Sequence, residues 1–491
     1  MNQAHTAPVR IRLHLLEWIA GVGALLLAPN ATAADPIAKP NIVLVMADDQ
    51  GWGDMAYNGH PHLKTPHFDA MAKEAIRFDH FHSAAPVCSP TRASVLTGRT
   101  PNRMATFKWG HPIRPQETTI AQVLKDAGYR TGHFGKWHIG SVQKDGLATP
   151  GKCGFDTWIS APNFFDLNPI LSDSGKAVQF TGDSSDVTAE LALKFIRECS
   201  GKKQPFLAVV WFGSPHNPHK ALPEDSKHYA DRPASERDFL GEITAMDRAF
   251  GKIRSDLKEL GLTKDTVLWY CSDNGALPKL GSAGNRRGYK GQIYEGGLLV
   301  PALLEWPTRY PKPRVIDVPC VTSDIYPTVL AWAGAKAERQ PPLDGISLLP
   351  ILDGSVTARP KPIGFWDHPT GGLGTPSKEW MEELLAEQKA GREPTDPKKL
   401  FSEAGKIASK HPLDKFPGHS AWLDGTWKLH RIEAAKAAGV KWELYDLATD
   451  PKEARDLLAT EAKRAEAMKK DLTAWLESVV RSLNGEDYPS K

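Results

Sequence analysis

Between residues 41 and 352, short unbroken apolar runs alternate with longer stretches in which apolar residues recur at three- and four-residue steps. Unbroken runs suit strands buried on both faces, and the longer period suits helices packed by one face. The pattern therefore predicts an α/β domain, a large mostly parallel sheet sandwiched by helices. Four runs define the sheet. Ile42 to Met46 ends at Asp48-Asp49, and Phe206 to Phe212 ends at Ser214-Pro215-His216. Thr266 to Tyr270 ends at Ser272-Asp273-Asn274, and the weaker run Tyr129 to Phe134 ends at Lys136-Trp137-His138. Open α/β sheets bind ligands beyond the carboxyl ends of their strands. All four polar clusters fall there.

Three helices are legible between the strands. Thr118 is placed to cap one whose apolar face is Ile120, Val123, Leu124 and Ala127 and which Gly128 closes. Asp186 heads a second, with Val187, Leu191 and Phe195. From Asp238 to Gly261, Phe239, Ile243, Met246, Phe250, Ile253, Leu257 and Leu260 mark a long packing helix. The texture changes after about residue 360. Residues 368–418 are rich in Pro, Gly, Lys and Glu, and Ala421-Trp422-Leu423, Asp424-Gly425 and Trp427-Lys428-Leu429 then read as a β-hairpin. Glu443 to Leu447 reads as another strand, and a charged helical stretch runs from about Thr460 to Leu483. The division expected is 34–360 for the catalytic α/β domain and 361–491 for a smaller antiparallel α+β subdomain.

Composition narrows the class. With 41% hydrophobic and 24% charged residues the chain is neither disordered nor membranous, and a net charge of +3 lacks the basic excess of a nucleic-acid binder. Arg10 and Arg12 precede the apolar stretch Trp18 to Ala28 and the small-residue sequence Ala31-Thr32-Ala33, the layout of a secretory signal cleaved after Ala33. That stretch is short of the ~20 residues a membrane span needs. The expectation is a periplasmic or secreted protein with no membrane attachment after cleavage. Five cysteines cannot all pair within one chain. Cys88 is the candidate for a separate role, and spacing leaves the pairing of Cys153, Cys199, Cys271 and Cys320 open.

The pairs Asp48-Asp49 and Asp273-Asn274 supply oxygen donors of the kind hard cations prefer, calcium or magnesium rather than zinc. Either pair alone could be ordinary turn chemistry. Two pairs at the ends of buried strands can converge on one ion. Cys88-Ser89-Pro90-Thr91-Arg92 opens a helix whose first-turn amides favour an anion, although physics alone also allows an inert buried thiol.

The full string from Cys88 to Leu96-Thr97-Gly98-Arg99 resembles the signature of the type I, formylglycine-dependent sulfatases of the alkaline phosphatase superfamily. Ala47-Asp48-Asp49-Gln50-Gly51-Trp52-Gly53-Asp54, Gly135-Lys136-Trp137-His138-Ile139-Gly140, Ser214-Pro215-His216 and Ser272-Asp273-Asn274-Gly275 are similar to further family motifs in the family's order. So are Tyr289-Lys290-Gly291 to Glu295-Gly296-Gly297 and the tail segment Leu444 to Leu447 with Asp450-Pro451. The motif wording is similar to that of arylsulfatase A and N-acetylgalactosamine-6-sulfatase relatives.

The resemblance implies that a maturation enzyme oxidises Cys88 to formylglycine, whose hydrated aldehyde attacks a sulfate monoester and then releases sulfate from the sulfated intermediate. It implies one calcium ion on Asp48, Asp49, Asp273, Asn274 and the modified Cys88. Arg92 would steady the nucleophile, Lys136 and Lys290 would bind sulfate, His216 would protonate the leaving oxygen, and His138 would take the second diol proton. His219 lies close enough in sequence to exchange roles with His216. An extra sulfate-contacting group found in some relatives is not evident between Ser141 and Thr157. Sulfated carbohydrates are the expected substrates, with small sulfate esters also open. Two rival readings are a phosphonate or phosphodiester hydrolase of the same superfamily and a non-catalytic glycan-binding relative.

Overall fold

Ile42, Leu44 and Met46 point to one face of the strand β1 (Asn41–Ala47), Val43, Val45 and Ala47 point to the other, and each set is buried in its own apolar cluster. This follows from the two-residue period of a strand covered on both sides. The computed structural model describes residues 39–407, 410–433 and 439–488. The expected signal segment, 1–33, lies outside the described residues.

After β1 come β2 (Ile76–Phe78), β3 (Phe81–His82), β4 (Arg130–Lys136), β5 (Thr157–Ala161), β6 (Ile170–Asp173) and β7 (Lys176–Gln179). They are followed by β8 (Phe206–Trp211), β9 (Thr266–Ser272), β10 (Ala302–Glu305), β11 (Arg314–Ile316) and β12 (Cys320–Val321). Ten of them form one sheet in the order β11-β2-β10-β9-β1-β8-β4-β5-β6-β7. Its centre, β9-β1-β8-β4-β5, is parallel throughout, while β10, β6 and β7 run antiparallel to their inner neighbours. The helices Ser184–Gly201 and Ala234–Glu259 bury Leu193, Ile196, Phe239, Ile243, Met246 and Phe250 on one face. On the other, Cys88–Thr97, Ile120–Asp126 and Ile325–Ala333 contribute Leu96, Leu124 and Val329.

Helix starts differ from the sequence reading. Thr119, not Thr118, caps Ile120–Asp126: its hydroxyl accepts from Gln122 N, and Gln122 Oε1 accepts from Thr119 N at 2.9 Å. A reciprocal box of this kind satisfies two free amides at once and outcompetes a lone hydroxyl. Thr118 instead donates to the Arg339 carbonyl. Asp183, not Asp186, caps Ser184–Gly201, accepting from Ser185 N and Asp186 N, while Asp186 pairs with Arg248. The long helix starts at Ala234 behind Pro233, ahead of the Asp238 expected.

A second, antiparallel sheet runs β13 (Ile363–Asp367), β14 (Gly418–Asp424), β15 (Trp427–Glu433) and β16 (Lys441–Asp446). Trp422 faces the helix Ala462–Leu483, against Leu472, Leu476 and Val479. Ala421 and Leu423 face Ile293 and Leu298, which follow the Lys290 loop. The polar segment 368–418 contains the helix Ser377–Lys389, anchored by Met381 and Leu384 in the main core. Among the described residues no helix is long and apolar enough to cross a membrane.

Candidate active site

Parallel register builds the site. Ala47 is level with Ser272 in β9, so the next residues of both strands, Asp48-Asp49 and Asp273-Asn274, emerge side by side. Backbone bonds continue the pairing, Asp273 N to Ala47 O at 3.2 Å and Asp48 N to Ser214 O at 3.0 Å. Asp49 N then donates to Asp273 Oδ1 at 3.1 Å, and Asn274 Nδ2 donates to Asp49 Oδ1 at 2.9 Å. On the far side of β8, Gly135 is level with Trp211, which brings Lys136 to the same edge. Gly135 has φ +100°, and a Cβ there would stand 1.9 Å from the Trp211 carbonyl oxygen. Only glycine fits.

Cys88 is the first residue of its helix, behind Val87 in extended conformation, and is buried. Its Sγ lies 4.0 Å from Asp49 Oδ1. One turn on, Arg92 donates from Nε and Nη2 to Asp273 Oδ2 at 3.0 and 2.6 Å, and from Nη1 to the Lys136 carbonyl at 3.2 Å. Its guanidinium lies over the Trp211 ring. Lys136 Nζ donates to Asp48 Oδ2 at 2.5 Å, and Lys290 Nζ to Asp49 Oδ2 at 2.6 Å. Three buried carboxylates thus face three cations.

The electrostatics follow from that packing. Burial would raise the Asp49 carboxyl, but Lys290, His216 and Lys136 hold it below the usual range. Asp273 goes the other way, up to about 6, because burial and Asp48 outweigh Arg92 and Lys136. Burial pushes the Cys88 thiol up to about 12 even beside Lys136 and Lys290.

His216 Nε2 stands 3.6 Å from Asp49 Oδ2, and the ring stacks on Phe164 at 4.7 Å. Burial, helped by Lys290 and Lys136, brings its pKa down to about 3 although Asp49 opposes this. His219 does not join the centre; its Nδ1 is 3.6 Å from Glu242 Oε2 and its ring packs on Phe239. His138 sits beside the helix start, its carbonyl accepting from Ser89 Oγ at 2.6 Å. Burial first, then Lys136 and Arg92, holds its pKa well below the ordinary histidine value. Asp49 and His138 both adopt left-handed backbone, φ 69° and 58°, the kind of strain that clusters at functional sites.

Two residues of the site escaped the sequence reading. Thr375, on the polar segment, places Oγ1 3.0 Å from His138 Nε2, and its carbonyl accepts from Asn163 Nδ2 at 3.1 Å. Asn163 lies just beyond the 141–157 window, and its Oδ1 is buried without a partner. A polar residue at a strand end was the only available signal, and it is a common one.

The donor set suits a hard cation. Asp48 Oδ1 and Asn274 Oδ1 are buried with no hydrogen-bond partner, which is costly unless something else fills the coordination. Donor atoms of Asp48, Asp49, Cys88 and His216 lie within 4.8 Å of one another. Asp273, expected as a ligand, borders this group, with its Oδ1 accepting from Asp49 N and its Oδ2 from Arg92.

Residues 40–335 match the family model described as Sulfatase. The chain is 33% identical over 399 residues to N-acetylgalactosamine-6-sulfatase of Canis lupus familiaris, covering 71% of each chain. It is 30% identical over 325 residues to an ulvan-active sulfatase of Formosa agariphila, covering 62% of this chain and 63% of that one. Its fold is similar to that of Ps i-CgsB, solved in complex with k-i-k-neocarrahexaose, with TM-score 0.74 and 24% identity over 91% of this chain and 98% of that chain.

Proposed function

The chain belongs to the sulfatase family, and from that premise we propose that it releases sulfate from sulfated carbohydrates, with Cys88 matured to formylglycine and calcium held by Asp48, Asp49, Asp273 and Asn274. The hydrolysis of sulfate monoesters is the family's reaction. The observation that carries the residue assignment is the convergence of Cys88, at a helix start, with the paired acids of two parallel strands.

Each requirement of the reaction has a group in reach. A hydrated formylglycine supplies a hydroxyl nucleophile and can later return to the aldehyde by breaking a C–O bond. A divalent cation would supply Lewis-acid stabilisation of the sulfate oxygens and of the nucleophile. Arg92 fixes Asp273 from two nitrogens and lies one turn from residue 88, which orients both. Lys136 enters from the end of β4 and Lys290 from the loop after β9, so that they neutralise sulfate oxygens on two sides of sulfur. His216 is assigned to protonating the leaving oxygen from Nε2: Nδ1 donates to the Asn217 carbonyl at 2.6 Å, so the ring must first take up a second proton at Nε2, which Asp49 at 3.6 Å and the negative charge of a bound sulfate favour. His138 takes the proton that must leave residue 88 when sulfate departs.

Carbohydrate as substrate is supported by the names of the relatives and by exposed aromatic surface beside the site. Trp109 and Tyr289 are each 45% exposed. Tyr289 adjoins Lys290, and Gly110, next to Trp109, donates to Ser89 Oγ. A sugar ring has apolar faces that such side chains can cover. The leader-like residues 1–33 support work in the periplasm or outside the cell. The test is sulfate release from a panel of sulfated mono- and oligosaccharides, with phosphate mono- and diesters presented to the same preparation. Sulfate turnover should dominate. Faster phosphate or phosphonate ester turnover would replace this reading with the related hydrolase.

A further inference from the structure

Thr375 belongs to no motif, lies on the polar segment that the sequence leaves without a role, and is only 6% exposed. Its strap is tied down on both sides of it. Leu373 N donates to the Trp109 carbonyl at 2.9 Å, the Gly371 carbonyl bonds His111 Nε2 at 2.9 Å, and the helix Ser377–Lys389 follows directly. The Thr375 carbonyl is held by Asn163. Such a clamp leaves the side chain little freedom, and it delivers Oγ1 to His138 Nε2 at 3.0 Å.

A neutral imidazole has one N–H and one bare nitrogen, and the partner of one nitrogen decides the state of the other. The Thr375 hydroxyl has a single proton, and of its two neighbours the Leu373 carbonyl, 3.4 Å away, can only accept, whereas His138 Nε2 can also donate. Its oxygen is then left to accept from His138. With the ring proton on Nε2, Nδ1 carries the free lone pair, and Nδ1 is buried with no protein partner. The ring is in turn locked to the helix start, since Ser89, the residue after Cys88, donates to the His138 carbonyl.

We propose that Thr375 is a positioning residue that holds His138 as the Nε2–H tautomer, so that Nδ1 is the atom that accepts the proton leaving residue 88. The proton's origin rests on the sulfatase reading; the tautomer does not. The polar segment thereby completes the proton-accepting group from outside the sequence motifs, and a chain lacking the hydroxyl would carry all the motif residues yet turn over slowly.

The experiment uses the full chain with ¹⁵N-labelled histidine, as wild type, Thr375→Val and Thr375→Ser, with His138→Asn for assignment. Wild type and Thr375→Ser should show a protonated Nε2 and a bare Nδ1 at His138, and Thr375→Val a mixture of tautomers. On a sulfated substrate, kcat of Thr375→Val should fall about tenfold or more with KM within about twofold, and Thr375→Ser should recover most of the loss. An Nδ1–H signal in wild type, an unchanged kcat in Thr375→Val, or a Ser variant no better than Val overturns the assignment. The labelled spectra decide the tautomer even for a preparation that releases no sulfate, an outcome that would instead remove the sulfatase reading.

Discussion

Lys290 Nζ lies 2.6 Å from Oδ2 of Asp49, so a side chain assigned to substrate is paired with one assigned to the cation. The same holds for Lys136 and Asp48. Each lysine compensates a buried carboxylate whenever the cation is absent. Removing one partner of a buried pair is costly, because the other charge is left uncompensated.

Lys290→Ala should therefore do two things. Its kcat/KM should fall about 10²- to 10³-fold, the usual scale for losing one preorganised charge contact. Chelation should also lower its melting temperature more than it lowers that of wild type, and calcium should restore both the stability and, in wild type, the activity. Thermal scans of chelated and calcium-loaded protein check this. Equal losses in both proteins would contradict the compensating role.

Asp344 ties the C-terminal helix Ala462–Leu483 to the segment that follows the Cys88 helix. It accepts from Arg103 Nε and Nη2, from Thr100 N and from Trp475 Nε1 on the helix Ala462–Leu483. Burial alone would raise its pKa, but Arg103 and these donors bring it from the ordinary 3.8 down to about 2. A depressed carboxyl contributes stability that is present above about pH 4 and is lost as pH falls through about 2, here ~2 kcal/mol. Asp344→Asn should cost about 3 kcal/mol at pH 7, and the gap to wild type in urea unfolding should narrow below pH 4. A gap independent of pH would refute the assignment.

Trp109 offers its ring beside the site, with Gly372 packed against it and Leu373 bonded to its carbonyl. Trp109→Ala should raise KM about five- to tenfold for a sulfated oligosaccharide, ~1 kcal/mol of uniform binding, and leave a small aryl sulfate unaffected. Steady-state kinetics on both substrates separate the two. Equal effects would place the ring in the chemistry rather than in sugar binding.

The large sheet was legible because β1, β8 and β9 are covered on both faces, and such strands write themselves as unbroken apolar runs. Asp48-Asp49 and Asp273-Asn274 could be placed at strand ends from sequence, but that they touch depends on the register of β1 against β9, which no local pattern encodes. Thr119 and Asp183 were missed as caps because several hydroxyls and carboxylates compete at each helix start, and the choice depends on partners such as Gln122 and Arg248. The helix Ser377–Lys389 was hidden by a polar surrounding in which Met381 and Leu384 are its buried anchors. Thr375 and Asn163 reach the site through tertiary packing alone.

The central claim is the proposal that residue 88 works as an aldehyde-derived hydroxyl at the start of its helix, beside the paired acids of β1 and β9. Mass spectrometry of the peptide containing Cys88, taken from active enzyme, tests this most directly. The account predicts that the thiol sulfur is gone and an aldehyde traps added hydrazide, and that Cys88→Ala releases no sulfate. Recovery of an intact thiol from fully active protein, or undiminished activity in Cys88→Ala, would contradict it.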